Sequence, residues 1–164
     1  MRTGVRLGVD VGSVRVGVAR SDPSGVLATP VQTLARDESA GSDLDELARL
    51  VRECDALEVV IGLPRGLSGQ EGTAAAAARG YADLVARRVV PVPVRLVDER
   101  LSTVTATRAL RAAGVRGRRH RPVVDQAAAV VILQSALDAE RASGRAPGLL
   151  VDPGPASDLP ASQE

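Results

Sequence analysis

The order of hydrophobic patterns along the chain narrows the possible folds more than any other feature. Two β-rich runs open it, Arg6–Val11 (RLGVDV) and Val14–Arg20 (VRVGVAR), the second alternating as a half-buried strand does. Gly12-Ser13 between them is a two-residue connection of the hairpin kind. A third strand is expected over Val26–Leu34. Beyond it, helical and strand patterns take turns. Ser42-Asp43-Leu44-Asp45 reads as a capping box and opens a helix whose Leu44, Leu47, Leu50, Val51 and Cys54 share one face. A buried strand follows at Leu57–Leu63, then the glycine-rich loop Pro64–Gly69, a helix over about 70–88 and a strand at Val92–Val97. A helix over about 102–113 precedes a basic loop, and the last helix covers about 124–142. Its Ala127–Leu133 stretch is apolar all round and is expected to be buried. Strands joined through helices pair in parallel by right-handed crossovers, whereas hairpin partners pair antiparallel. The expected fold is therefore α/β, a mixed five-stranded sheet covered by helices.

At 164 residues the chain fits one domain. Residues 1–143 are expected to form it. Residues 144–164, with four prolines, three glycines and no periodicity, read as a flexible tail. No apolar run reaches the ~20 residues that span a bilayer, and the N-terminus carries no secretory pattern. No membrane association is expected, and a cytoplasmic location is.

Scarcity of certain side chains limits the chemistry. One cysteine, Cys54, and one histidine, His120, leave no internal disulfide and no usual Cys/His zinc site. The chain has no lysine, so Schiff-base chemistry and a Walker-type lysine are excluded. Carboxylates, hydroxyls, arginines and backbone are left. Arg108, Arg111, Arg116, Arg118, Arg119 and Arg121 stand with His120 in one stretch that holds no acid, a footprint suited to phosphate. Tyr81 is the only aromatic residue, so nucleic acid would be read through backbone and shape rather than by stacking.

In open α/β sheets, sites form beyond the carboxyl ends of the parallel strands. Asp10 lies near the end of the first strand, Asp98-Glu99 at the end of the fifth, and Asp125 at the start of the last helix. Should those ends converge, the three acids would repel unless a divalent cation bridged them. Mg²⁺ takes oxygen ligands, and two such ions can drive in-line phosphodiester cleavage. Each acid also has a plainer reading. Asp10 could shape a turn, Glu99 could pair with a nearby arginine, and Asp125 could cap its helix.

Four strings carry a resemblance: Leu7-Gly8-Val9-Asp10-Val11-Gly12 with Val16–Ala19; Ile61-Gly62-Leu63-Pro64 with Gly69; Asp98-Glu99-Arg100-Leu101-Ser102-Thr103; and Val124-Asp125-Gln126-Ala127-Ala128-Ala129-Val130. In order and spacing over about residues 6–140 the chain resembles the YqgF family of pre-16S rRNA nucleases and Holliday-junction-resolvase-like proteins, within the ribonuclease-H-like superfamily. The resemblance implies a ribonuclease-H-like sheet of order 3-2-1-4-5. It implies Asp10, Glu99 and Asp125 as catalytic acids holding Mg²⁺ or Mn²⁺. Its implied activity is maturation of the 5′ end of pre-16S ribosomal RNA, with cleavage of four-way DNA junctions as the competing role. Implied partners are pre-rRNA or branched DNA and ribosomal precursor particles, with the chain a monomer or homodimer. The expected substrate contacts are Arg15, Arg100, Ser102, Thr103, Arg116, Arg118, Arg119 and Arg121. Two departures stand out: Val14 occupies the place of a lysine found in many relatives, and Arg121-Pro122-Val123-Val124 replaces a basic residue nearer the final aspartate. Arg15 and Arg121 are the candidates to stand in. Two rivals come from other classes. Asp10-Val11-Gly12-Ser13 also resembles the first phosphate loop of actin-like ATPases and sugar kinases, which need over twice this length. A non-catalytic RNA-binding assembly factor would keep the same acids and arginines without turnover.

Overall fold

The computed structural model describes residues 1–65, 71–99 and 121–154. Its strands are β1 (Arg6–Val11), β2 (Arg15–Ser21), β3 (Ala28–Ala35), β4 (Glu58–Leu63), β5 (Val94–Asp98) and β6 (Leu149–Leu150). The helices are α1 (Ser42–Glu53), α2 (Thr73–Val89) and α3 (Arg121–Ser143). The sheet runs β3-β2-β1-β4-β5-β6. β1 pairs antiparallel with β2, and β2 with β3; β1, β4 and β5 pair in parallel. This is the expected mixed α/β arrangement with one strand more than the five expected.

The sixth strand comes from the segment read as a tail. Leu149 and Leu150 pair antiparallel with Leu96 and Arg95 on the outer edge of β5. The Val151 amide donates to the Val94 carbonyl at 2.8 Å, and the Val151 side chain is buried. A glycine is required just before this strand. Gly148 has φ +68°, and a Cβ there would overlap the Leu96 carbonyl oxygen.

Alternation along the central strands sorts residues between two cores. Leu7 and Val9 of β1, Val16 and Val18 of β2, and Val59, Ile61 and Leu63 of β4 join α1 and α2 in the larger core. The α1 face expected from sequence is there: Leu44, Leu47, Leu50 and Val51 are buried, and Cys54 packs against them half-buried. The opposite face carries small residues, Gly8, Gly17, Ala19 and Gly62, and α3 lies on it through Ala129, Ile132, Leu133, Ala136 and Leu137. A Cβ on Gly8 would stand 2.6 Å from Leu133 Cβ, so side chains larger than hydrogen would hold the helix off the sheet. Ala127, Val130 and Val131 of the all-apolar stretch are half-buried rather than buried.

Helix boundaries moved in two instructive places. The expected cap Ser42 is instead the first helical residue, and the capping position is Gly41 in the left-handed region. Asp37, at the start of the preceding turn, accepts from the Ser42 amide and hydroxyl and from the Ala40 amide. α3 begins at Arg121 rather than 124, with Pro122 in the first turn, where its missing N–H costs nothing. The helix expected over 102–113 lies outside the described residues, as does most of the glycine-rich loop.

Candidate active site

The site is a consequence of how α3 runs along β1. Arg6, Gly8 and Asp10 alternate onto the face that α3 covers. Arg6 meets Glu140 near the far end of the helix, at 3.3 Å. Gly8 lies under Ala129 and Leu133 in its middle. Asp10 pairs in register with Gly17 of β2, and Gly17 lies directly beneath the backbone of Asp125 and Gln126. The helix thus descends antiparallel to β1 and delivers its N-terminal turns to the end of the strand that carries Asp10.

Glu99 arrives from the other side. The β1/β4 register runs Leu7↔Val59, Gly8↔Val60, Val9↔Ile61, and its next step sets Asp10 beside Gly62. Glu99 follows β5, and its Oε1 stands 2.8 Å from where a Gly62 Cβ would be. Ile132 of α3 crowds that same Gly62 position, so Glu99, just past the strand end, reaches the α3 side of the sheet. Asp10 is therefore flanked by two glycines in neighbouring strands, with Asp125 above one and Glu99 above the other. The missing side chains at Gly17 and Gly62 make the floor on which the acids gather.

The three acids share a face and an end of the sheet without collapsing into a single cage. Among the described residues, no group of three or more His, Cys, Asp or Glu side chains closes to the spacing that holds one metal ion. Asp125 instead accepts from Arg15: Nε to Oδ2 is 3.2 Å, with both side chains about a quarter exposed. Arg15, expected as a substrate contact, is thus an ion-pair partner of a site acid here. Gln126 fixes the same turn by donating from Nε2 to Thr33 Oγ1 at 3.1 Å. Arg100, Ser102, Thr103, Arg116, Arg118 and Arg119 lie outside the described residues, as does the side chain of Arg121.

As a donor set, Asp10, Glu99 and Asp125 offer only carboxylate oxygens on a floor cleared by glycine. That chemistry suits hard cations such as Mg²⁺ and Mn²⁺, which take one or two carboxylates each and fill their other positions with water and phosphate oxygen. It does not suit zinc of the thiolate or imidazole kind. The sequence strings contained Gly17 and Gly62 but gave no hint of their task. Gln126 carried no signal, because its partner is 93 residues away.

With this geometry in hand, comparison with known proteins is informative. A family profile described as "RuvX: Holliday junction resolvase" matches residues 4–139. The chain is 61% identical over 145 residues to a protein of Mycolicibacterium paratuberculosis, covering 88% of this chain and 86% of that one. It is 60% identical over 151 residues to a protein of Kineococcus radiotolerans, covering 92% and 80%. Both relatives bear the name "Putative pre-16S rRNA nuclease". Among solved structures, T. thermophilus RuvC in complex with a Holliday junction substrate superposes with a TM-score of 0.60 at 13% identity, covering 90% of this chain and 99% of that one. At that identity the likeness concerns the fold.

Proposed function

This chain belongs to the RuvX family, and from that membership we propose that it is a divalent-metal-dependent endonuclease that trims the 5′ end of pre-16S ribosomal RNA. The observation that carries the reading is the pairing of Asp10 with Gly17, whose neighbour above is Asp125, together with a β1/β4 register that continues toward Gly62, beside which Glu99 stands. Asp10, Glu99 and Asp125 would hold Mg²⁺ or Mn²⁺. The bound cation would activate water and stabilise the leaving oxygen of a phosphodiester.

The chain's own residues account for the rest of the site. β1, β4 and β5 present their carboxyl ends side by side, which fixes Asp10 on the rigid sheet and Glu99 one residue past the end of β5. α3 holds Asp125 through close backbone packing on Gly17, and Gln126 stops that turn from sliding. The arginines of 108–121 supply phosphate contacts in this reading, and precursor ribosomal particles are the natural source of substrate. Among the described residues no helix is long and apolar enough to cross a membrane.

Cleavage of four-way DNA junctions is the second reading, favoured by the family description and by the RuvC-like fold. It is the weaker one, since close relatives are named for pre-16S rRNA. One experiment tests both. Pre-16S RNA and a four-way junction are incubated with the protein and Mg²⁺ or Mn²⁺, beside Asp10→Asn. The expected result is RNA cleavage that falls on the order of a hundredfold or more in the variant, with RNA binding nearly unchanged because the arginines stay. Junction cleavage alone would turn the assignment to DNA. RNA binding without cleavage by the unaltered protein would make it a non-catalytic assembly factor.

A further inference from the structure

We propose that Arg15 is an exchangeable counterion of Asp125: its guanidinium neutralises that carboxylate until a divalent cation takes the oxygen, and then turns to the substrate's phosphate. The inference rests on the metal-holding reading of Asp10, Glu99 and Asp125 given above, and it adds a coupling between cation and nucleic acid that this reading does not contain.

Three carboxylates at one end of one sheet face raise each other's energy unless something positive stands among them. Among the described residues, Arg15 stands beside Asp125. It begins β2, directly after the hairpin in which the Gly12 amide donates to the Arg15 carbonyl at 2.9 Å. Its backbone is therefore fixed by the hairpin, while its partly exposed side chain extends to Asp125. The Arg15 Nε reaches Asp125 Oδ2 at 3.2 Å, and both groups are open enough to solvent for the bond to be modest. A partly exposed pair of this strength can be broken by a competitor with twice the charge. The structure also contains the contrast that makes exchange specific to this position. A second α3 carboxylate, Glu140, paired with Arg2 and Arg6, has Arg6 fully buried and is itself only 3% exposed, and it is built to stay closed.

Once released, the guanidinium has a natural second partner. Planar, bidentate binding to phosphate oxygens is what arginine does best, and a phosphodiester must approach within reach of Asp125 to be cleaved. Arg15 would then strengthen substrate binding only when the cation is present. Cation and substrate become cooperative partners through one side chain, each paying part of the cost of breaking the pair.

The test is direct binding on the full chain. Mn²⁺ binding without nucleic acid is followed by the loss of the free-ion electron paramagnetic resonance signal, for the unaltered protein, Arg15→Gln, Asp125→Asn and the double variant. Arg15→Gln is expected to bind Mn²⁺ about fivefold more tightly, the upper end for releasing an exposed pair, and to have no effect once Asp125 is already Asn. Binding of a short pre-16S RNA is then measured in Ca²⁺ and in chelator. Arg15→Gln should weaken it several-fold in Ca²⁺ and little in chelator. Equal weakening in both media would mean that Arg15 touches phosphate while still bonded to Asp125, and unchanged Mn²⁺ binding in Arg15→Gln would mean that it does not compete; either overturns the exchange. If no variant binds Mn²⁺, or if Asp125→Asn leaves Mn²⁺ binding unaltered, the metal-holding reading itself fails and takes the exchange with it.

Discussion

Gly17 and Gly62 floor the same site, but different atoms stand over them, and substitution separates the two cases. A Cβ at Gly17 would overlap the backbone carbonyl of Asp125 and come within 3.0 Å of the Gln126 amide nitrogen. Backbone cannot step aside without moving the turn of α3. Gly17→Ala should therefore cost about 1–3 kcal/mol as an overpacked site and reduce cleavage further by displacing Asp125. At Gly62 the new methyl would meet Ile132 Cδ1 at 2.6 Å and Glu99 Oε1 at 2.8 Å, both side-chain ends that can rotate. Gly62→Ala should cost less stability, about 1 kcal/mol, yet still reduce cleavage by turning Glu99. Urea unfolding beside a cleavage assay checks the pair; equal stability losses would contradict the backbone-versus-side-chain distinction. The positions of the three acids near one end of the sheet could be anticipated from sequence, because Asp10 lies near the end of β1, Glu99 just past β5 and Asp125 in the early turns of α3. The Arg15–Asp125 pair could not, since 110 residues separate its members and only the finished packing of α3 on β2 brings them together.

At the scale of elements, α1 and α2 are joined by a polar contact inside an otherwise apolar layer. Asp43 of α1 is buried, and its Oδ2 accepts from the Tyr81 hydroxyl of α2 at 3.1 Å. Arg36, just past β3, lies over the Tyr81 ring at 4.9 Å and brings its Nε to 3.9 Å from Asp43 Oδ2. Burial first, and the Asp43 carboxylate second, push the Tyr81 hydroxyl far above its ordinary range, so it stays protonated and donates at any working pH. Asp43 Oδ1 already lacks a hydrogen-bond partner. Tyr81→Phe would remove the closest donor to Oδ2 and should destabilise the protein by about 1–3 kcal/mol, the cost of a buried acceptor left without its partner. Urea unfolding measures it. A loss no greater for Tyr81→Phe alone than in an Asp43→Asn background would show that the two residues are not coupled. Periodicity located both helices within a few residues, because their buried faces repeat as a helix requires. It could not locate the cap of α1. A Ser-x-x-Asp pattern suggested Ser42, whereas the turn from Asp37 to Gly41 satisfies the helix start from outside it.

Across the whole molecule, α3 is pinned at both ends. Its N-terminal turns are tied by Arg15–Asp125 and Gln126–Thr33, and its far end by a buried charge cluster of Arg2, Arg6, Glu58, Arg95 and Glu140. Neither the cluster nor β6 was legible in advance. The cluster gathers residues from the N-terminus, three strands and a helix, and a two-residue strand has no period to detect. The mixed pairing was legible, because hairpins pair strands antiparallel and helical crossovers pair them in parallel, whereas the strand order was implied only by the family resemblance. The cluster gives the molecule an acid-sensitive seam. Hydrogen bonds from Arg2, followed by the Arg2 and Arg6 charges, outweigh burial and lower the Glu140 carboxyl from 4.5 to about 2. A carboxyl held lower in the folded than in the unfolded chain adds stability that is complete above the unfolded value and is lost as pH falls toward the folded one. Glu140 should therefore contribute fully above about pH 4.5 and lose that contribution between there and about pH 2. Glu140→Gln removes this titration and leaves Arg6 buried without its carboxylate. Arg6 keeps the Gly4 and Arg2 carbonyls as acceptors, which places the expected loss at neutral pH near the lower end for a broken buried pair, about 3 kcal/mol. The variant's stability should also fall less steeply than the unaltered protein's over that acid range. Cleavage at neutral pH, well below the melting temperature, should persist, because Gly8 beneath Leu133 and Gly17 beneath Asp125 still set the register of α3. Parallel acid limbs for the two proteins in unfolding experiments would show that the cluster does not carry this pH dependence.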